Sequence, residues 1–203
     1  MAVTCPGCGR QYDVTLFDFG RTVTCTCGAR VGRDMQIARP PRQGPARFSC
    51  DAMLGRLARW LRALGFDTAY EPDVEDSDLV RSALEEGRTI LTRDRRLAEE
   101  WRVPGCVVLE TEDPAAQLRE LVRRLDLEPL GAWFRRCLEC NEPLREVDRD
   151  EVRDRVPERV LARVERYRLC PVCDKVYWEG SHTRRLRREL TSVIGEEPRG
   201  GAG

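Results

Sequence analysis

Eight of the ten cysteines in this 203-residue chain fall into short-spaced pairs at its two ends. They are Cys5/Cys8 with Cys25/Cys27, and Cys137/Cys140 with Cys170/Cys173. Thiolates this close in sequence converge on one tetrahedral ion at about 2.3 Å, whereas a disulfide between such neighbours is strained. Both clusters carry zinc-loop turn chemistry, Cys5-Pro6-Gly7-Cys8-Gly9 and Cys170-Pro171-Val172-Cys173. Two structural Zn2+ sites are therefore expected. An even cysteine count also permits a secreted disulfide framework, but Cys5 and Pro6 arrive before any apolar leader, and no apolar run approaches membrane-spanning length. The expectation is a reducing cytoplasm, with no membrane partner. Cys50 and Cys106 each sit in an apolar stretch and read as small buried side chains.

The second chemistry lies in carboxylates. Thr89-Ile90-Leu91-Thr92 reads as a buried strand that delivers Asp94 at its carboxyl end, and Phe48-Ser49-Cys50 as a strand ending at Asp51. Asp76 and Asp78 open a helix marked by Leu79, Val80, Ala83 and Leu84 and ended by Gly87. Each aspartate taken singly also suits a helix N-cap. Taken together, carboxylates at one sheet edge suit Mg2+ or Mn2+, hard ions that take oxygen ligands and keep waters free to attack a phosphodiester.

Those residues need a scaffold, and the middle of the chain supplies alternating strand and helix signals. Met53 to Leu64 places Leu54, Leu57, Leu61 and Leu64 on one helix face and Arg56, Arg59 and Arg62 on the other, with Gly65 as the stop. A short strand follows at Thr68 to Tyr70, and another at Cys106 to Leu109. Asp113-Pro114 supplies an N-cap and a first-turn proline for a helix that turns Leu118, Leu121, Val122 and Leu125 inward. This alternation predicts an α/β fold with a mainly parallel sheet and helices on both faces, whose functional crevice lies at the carboxyl ends of the strands.

The expected organisation is an N-terminal zinc ribbon over 1–32, a linker over 33–47 with three prolines, the α/β domain over 48–130, a C-terminal zinc ribbon over 131–183, and a basic helix and tail over 184–203. The N-terminal ribbon is too short for a core of its own and must be folded by its metal. The stretch from Pro157 to about Arg166 reads as helical. Lys+Arg and Asp+Glu both total 35, so net charge argues for no polyanion partner. Lys175 is the single lysine in an otherwise arginine-based set of cations.

Three blocks carry a family resemblance. They are Phe48-x-x-Asp51-x-Met53-Leu54-Gly55-x-Leu57-Ala58-x-Trp60-Leu61-Arg62-x-x-Gly65-x-Asp67-Thr68, then Gly87-Arg88-x-Ile90-Leu91-Thr92-Arg93-Asp94, and finally Arg136-Cys137-x-x-Cys140-Asn141 with Cys170-Pro171-x-Cys173-x-x-Val176-Tyr177-Trp178-x-Gly180-Ser181-His182. Over about 48 to 183 the chain closely resembles the Mut-seven-C RNase family, a PIN-like nuclease domain fused to a zinc ribbon. That resemblance implies metal-binding roles for Asp51, Asp94 and Asp76, with Asp78 as the alternative third acid. Where many PIN nucleases carry a further acid, this chain has Arg95 and Arg96. Glu110, Glu112 or Asp113 could supply a fourth acid, although acidic residues in a surface loop are more often simply solvated. Arg93, Arg95 and Arg96 flank Asp94 and suit a phosphate, which guanidinium binds in bidentate fashion. Tyr177, Trp178 and His182, followed by Arg184, Arg185, Arg187 and Arg188, suit a single-stranded RNA surface of rings and guanidinium groups, although small ribbons also use such aromatics to cover an undersized core.

Two function classes follow. One is a Mg2+- or Mn2+-dependent ribonuclease whose zinc ribbons position RNA. The other is a non-catalytic zinc-ribbon adaptor for RNA or protein, and the N-terminal ribbon is free for a protein partner in either case. Nothing in the sequence reads a 2′-hydroxyl, so the preference for RNA over DNA comes from the resemblance alone.

Overall fold

The computed structural model describes residues 2–32, 45–101, 103, 105–128 and 133–195. The linker expected over 33–47 lies outside the described residues except for its last three, and the tail beyond residue 195 lies outside them altogether. In chain order come strands β1 (Ala2–Thr4) and β2 (Gln11–Asp13), a 3-10 segment over Val14–Gly20, and strands β3 (Thr22–Thr24), β4 (Arg30–Gly32) and β5 (Arg47–Cys50). A 3-10 turn, Ala52–Leu54, leads into helix α1 (Gly55–Ala63), strand β6 (Asp67–Tyr70), helix α2 (Asp76–Glu85), strand β7 (Thr89–Thr92), helix α3 (Arg95–Glu100), strand β8 (Cys106–Val108) and helix α4 (Pro114–Leu125). The remainder is strand β9 (Arg145–Val147), a 3-10 turn Asp150–Arg155, helix α5 (Glu158–Leu161), strands β10 (Tyr167–Leu169) and β11 (Val176–Trp178), and helix α6 (Ser181–Ile194).

The central sheet has the order β6-β5-β7-β8. Strand β7 runs parallel to β5, with Phe48 opposite Thr89, and parallel to β8, with Ile90 opposite Cys106. All four residues of β7 are buried, as expected for a strand covered on both faces. The fold is the α/β sheet with flanking helices and two cysteine-bearing ribbons that the strand and helix signals predict.

The chain divides into two compact units, Met1–Gly55 with Tyr70–Glu110, and Arg56–Ala69 with Thr111–Gly203. The first contains the N-terminal ribbon together with β5, β7 and β8. Two antiparallel pairs, β1 with β2 and β3 with β4, enclose a small core of Cys5, Phe17, Cys25 and Val31. This ribbon is built against α3. Thr22 Oγ1 donates to the carbonyls of Glu99 (3.2 Å) and Glu100 (2.8 Å), closing two of the backbone acceptors that a helix end leaves open. Arg21 bridges to Trp101 and holds its guanidinium 5.4 Å from the indole ring centre. Leu79, Val80 and Ala83 of α2 pack with Ile90, Leu97 and Trp101 in the core beneath.

In the second unit, α1 buries Leu57 and Leu61 completely, Leu64 is equally buried in the turn that follows, and Gly65 closes that turn at φ +94°, a left-handed conformation that glycine adopts without strain. The sequence places Arg62 on the solvent face, but its exposure is only 3 %. Helix α4 starts on Asp113, whose side chain accepts from the Ala116 N–H at 3.0 Å, and buries Leu118 and Leu121. Strands β9, β10 and β11 form an antiparallel sheet over a core of Val147, Val152, Val156, Leu161, Tyr167 and Leu169. The helix expected over Pro157 to Arg166 is only Glu158–Leu161 long. Tyr167 must enter β10 and donates its hydroxyl to the Val164 carbonyl at 3.0 Å, so the intervening residues turn instead of adding another helical turn. Helix α6 packs along α4.

Candidate active site and zinc centres

Parallel pairing brings the carboxyl ends of β5 and β7 level, and the Asp51 N–H continues the ladder by donating to the Leu91 carbonyl at 2.9 Å. Asp51 therefore sits opposite Thr92, with only 6 % exposure. The fully buried Thr92 hydroxyl donates to Asp51 Oδ2 at 2.5 Å and accepts from the Asp94 N–H at 2.8 Å. One hydroxyl thus fixes both strand-end acids. Asp94 Oδ1 accepts from the Arg96 N–H at 2.7 Å and caps α3, which leaves its second oxygen outside the cap. Capping and metal binding, alternatives in the sequence, are compatible in one carboxylate.

Asp76 is the first residue of α2, after the N-cap Glu75, whose side chain makes no cap bond. Desolvation first, then the negative charges of Asp51 and Asp94, and then those of Glu100 and Glu75, hold the Asp76 carboxyl above the usual aspartate range. That repulsion places Asp76 in the same electrostatic cluster as the strand-end acids. Asp78 instead pairs with Arg81 at 2.5 Å on an exposed face. Glu100, at the end of α3, joins the cluster; it has no marker in the sequence because it follows Glu99 in a charged helix. Cys106 lies close enough to feel Asp51, and burial, followed by that charge, pushes its thiol up to about 11, so it is no nucleophile at neutral pH.

Arg95 is ion-paired with Glu110 at 2.5 Å, so the first candidate for a substitute acid is already engaged by a cation. Asp113 serves as the α4 cap. Arg96 is exposed beside Asp94, and Arg93 is half-buried.

The cysteines form two true tetrads. Among the described residues, Cys5/Cys8/Cys25/Cys27 and Cys137/Cys140/Cys170/Cys173 are the groups that bring three or more ligand atoms within 4.8 Å of one another. Sulfur separations are 3.6 Å for Cys5–Cys27, 3.5 Å for Cys8–Cys25, and 3.4 Å for both Cys137–Cys173 and Cys140–Cys170. A tetrahedron with Zn–S bonds of about 2.3 Å has edges of about 3.8 Å, whereas a disulfide requires about 2.05 Å. The tetrads fit zinc. In the first, the Cys27 N–H and then the Tyr12 hydroxyl draw the Cys25 thiol down to about 5. In the second, burial raises the Cys137 thiol, but the Cys140 N–H and the Tyr177 hydroxyl outweigh it and leave it at about 6.

Among the described residues, no three acids bring their oxygens within 4.8 Å of one another as the thiols do. A divalent ion at this edge would have to bind one or two carboxylates directly and reach the others through water.

The aromatics of the C-terminal ribbon are partly committed to its structure. Tyr177 Oη lies 3.1 Å from Cys137 Sγ and accepts from the Leu138 N–H at 3.1 Å. Trp178 is half-buried against the ribbon core, and His182 is exposed in the first turn of α6, away from the tetrad ligands. Sequence reasoning missed Arg62, whose guanidinium donates to the carbonyls of Thr68 (2.8 Å), Leu138 (3.1 Å) and Glu139 (2.7 Å). Leu138 and Glu139 lie between Cys137 and Cys140, so α1 is bonded to the cysteine knuckle itself. Asn141 adds to this joint by donating to Asp67 Oδ1 at 2.6 Å and accepting from the Thr68 N–H at 2.9 Å.

An α/β sheet with acids at its carboxyl edge, bearing a cysteine ribbon after its last helix, defines the class. Residues 46–190 match the Mut7-C RNAse domain, and the chain belongs to that family. No curated protein and no solved structure matches it. No described helix is long and apolar enough to cross a membrane.

Proposed function

We propose that this protein is a metal-dependent ribonuclease that hydrolyses phosphodiester bonds at the edge formed by Asp51, Asp76 and Asp94. The observation that carries this reading is the Thr92 hydroxyl, which bonds the Asp51 carboxylate and the Asp94 N–H at the carboxyl edge of the sheet in a chain of an RNase-domain family, with Asp76 feeling the charge of both acids. A Mg2+ or Mn2+ ion held there would supply Lewis-acid polarisation of the phosphate and a more acidic bound water. The chain's own groups do the positioning. Asp51 and Asp94 present fixed oxygens, Asp76 completes the negative site, and Arg93, Arg95 and Arg96 orient the phosphate for in-line attack by water, with the leaving oxygen departing opposite. Arg95 must exchange Glu110 for phosphate to take part. Both tetrads are read as structural Zn2+ sites, and the reduced thiols that such sites need are in keeping with a reducing compartment such as the cytoplasm. Tyr177, Trp178 and His182 border the RNA path on the C-terminal ribbon.

Cleavage of end-labelled single-stranded RNA by the zinc-loaded chain, with and without added Mn2+ or Mg2+, tests this reading beside Asp94→Asn and a matching DNA strand. Asparagine keeps the cap and removes the charge. Metal-dependent cleavage lost in the variant is the expected result. RNA binding without cleavage, equal in both proteins, would replace the enzyme with an adaptor.

A further inference from the structure

A groove of about 460 Å3 lies between the N-terminal ribbon and α3. The ribbon lines it with Arg21, Thr22 and Arg30, and α3 lines it with Arg96, Glu99 and Glu100. Its volume falls within the roughly 300–1,000 Å3 of ordinary ligand clefts. Elsewhere, arginines are commonly ion-paired, as Arg81, Arg95, Arg124 and Arg145 are. Among the described residues, Arg21, Arg30 and Arg96 form no ion pair, although two glutamates line the same groove.

Two of these guanidinium groups are nonetheless held in place. Arg21 lies over the Trp101 ring, and its Nε is buried without a hydrogen-bond partner. Arg30 Nη2 donates to Thr22 Oγ1 at 3.3 Å, and Thr22 is itself bound to the end of α3. A cation that is partly desolvated and has no anion is costly, and phosphate oxygens relieve that cost with charge-assisted hydrogen bonds. Arg96 ties the groove to the candidate active site, because this lining residue also donates its N–H to Asp94 Oδ1 at 2.7 Å.

We propose that the N-terminal ribbon is a strand-guiding arm: the phosphates of single-stranded RNA that extend past Asp94 lie in this groove on Arg96, Arg21 and Arg30. The inference rests on the ribonuclease reading of the Asp94 site. It assigns the extra ribbon a task that the acids cannot perform, the gripping of nucleotides away from the scissile bond. Three arginines against two glutamates leave the groove net positive, which suits a backbone bound without base readout.

The test measures binding of a fluorescent single-stranded RNA to the zinc-loaded full chain across a salt series. Cleavage is suppressed by Asp94→Asn, which preserves the cap. Each phosphate contact on a single strand contributes about 0.7 to the slope of log affinity against log salt. Arg30→Gln should lower the slope by about 0.7, and the Arg21→Gln/Arg30→Gln pair by about 1.4, equivalent to about 25-fold in affinity at 0.1 M salt relative to 1 M. Glu99→Gln should tighten binding. Arg30 is exposed, so its variant folds normally, and zinc content and circular dichroism verify this. Unchanged slopes in both arginine variants, or no RNA binding by the parent, would overturn the proposal. A chain that binds RNA with these slopes but cleaves nothing in Mn2+ would refute the nuclease and leave the groove standing.

Discussion

Thr92→Val is the sharpest probe of how the sheet builds its acidic edge. Valine keeps the shape of threonine and its β-branch, so the buried strand still packs, but the hydroxyl is lost. Two bonds go with it, the 2.5 Å bond to the Asp51 carboxylate and the 2.8 Å bond from the Asp94 N–H. A bond to a charged group contributes about 1.5–3 kcal/mol and a neutral one about 0.5–1.5 kcal/mol, so unfolding stability should fall by about 2–4 kcal/mol. Hydrogen-bond partners that orient metal-binding carboxylates typically influence metal affinity by about 10–100-fold. The half-saturating Mn2+ concentration for RNA cleavage should rise by that factor, and Thr92→Ser, which restores the hydroxyl, should recover most of it. Urea unfolding and a Mn2+ titration of cleavage measure the two effects. If valine matches the parent in both assays, or serine performs no better than valine, the hydroxyl does not organise the acids and the reasoning fails.

Arg62→Met should cost about 3 kcal/mol in urea unfolding, because it strands the buried carbonyls of Thr68 and Leu138 and frees that of Glu139, and it should speed zinc loss to a chelator from the C-terminal tetrad. Tyr177→Phe, which removes the hydroxyl beside Cys137, should weaken zinc retention at that tetrad about tenfold while the N-terminal tetrad is unaffected, as a colorimetric zinc-release assay would report. Asp76 gives a pH prediction. Its folded pKa is raised above the unfolded value, so the stability associated with its protonation is fully present below the unfolded pKa and is lost as pH rises through the folded one. Asp76→Asn escapes that loss. Without added divalent metal it should melt higher than the parent at neutral pH, the gain should vanish as pH falls through 3.8, and cleavage should be abolished.

Periodicity and spacing were enough to reveal much of this architecture. Thr89 to Thr92 is a run of β-branched and apolar residues bounded by Gly87 and Asp94, and β7 occupies those four residues. Asp113-Pro114 marks the start of α4 because capping is a local interaction. The cysteine spacing predicted tetrads because a knuckle closes within a few residues and needs little help from the rest of the chain. The difference between Asp76 and Asp78 was not legible, since both stand in one helical turn; folding pairs Asp78 with Arg81 and exposes Asp76 to the charges of Asp51 and Asp94.

Arg62 shows the limit most clearly. Its helical position, alternating with buried leucines, looks like solvent-facing charge, yet the nearby Thr68 carbonyl and two carbonyls from 76 and 77 positions away receive a guanidinium at 3 % exposure. The N-terminal ribbon makes the same point. Its own residues specify the hairpins and the tetrad, but the grip of Thr22 on the end of α3 spans 77 and 78 positions of sequence separation. The sequence by itself determined which elements form and which residues can ligate, because propensities, caps and knuckles act over a few residues. Only the tertiary structure decided which carboxylates share an edge, which arginine is buried and where the groove runs, because hydrogen bonding and desolvation depend on neighbours that the chain brings together only when it folds.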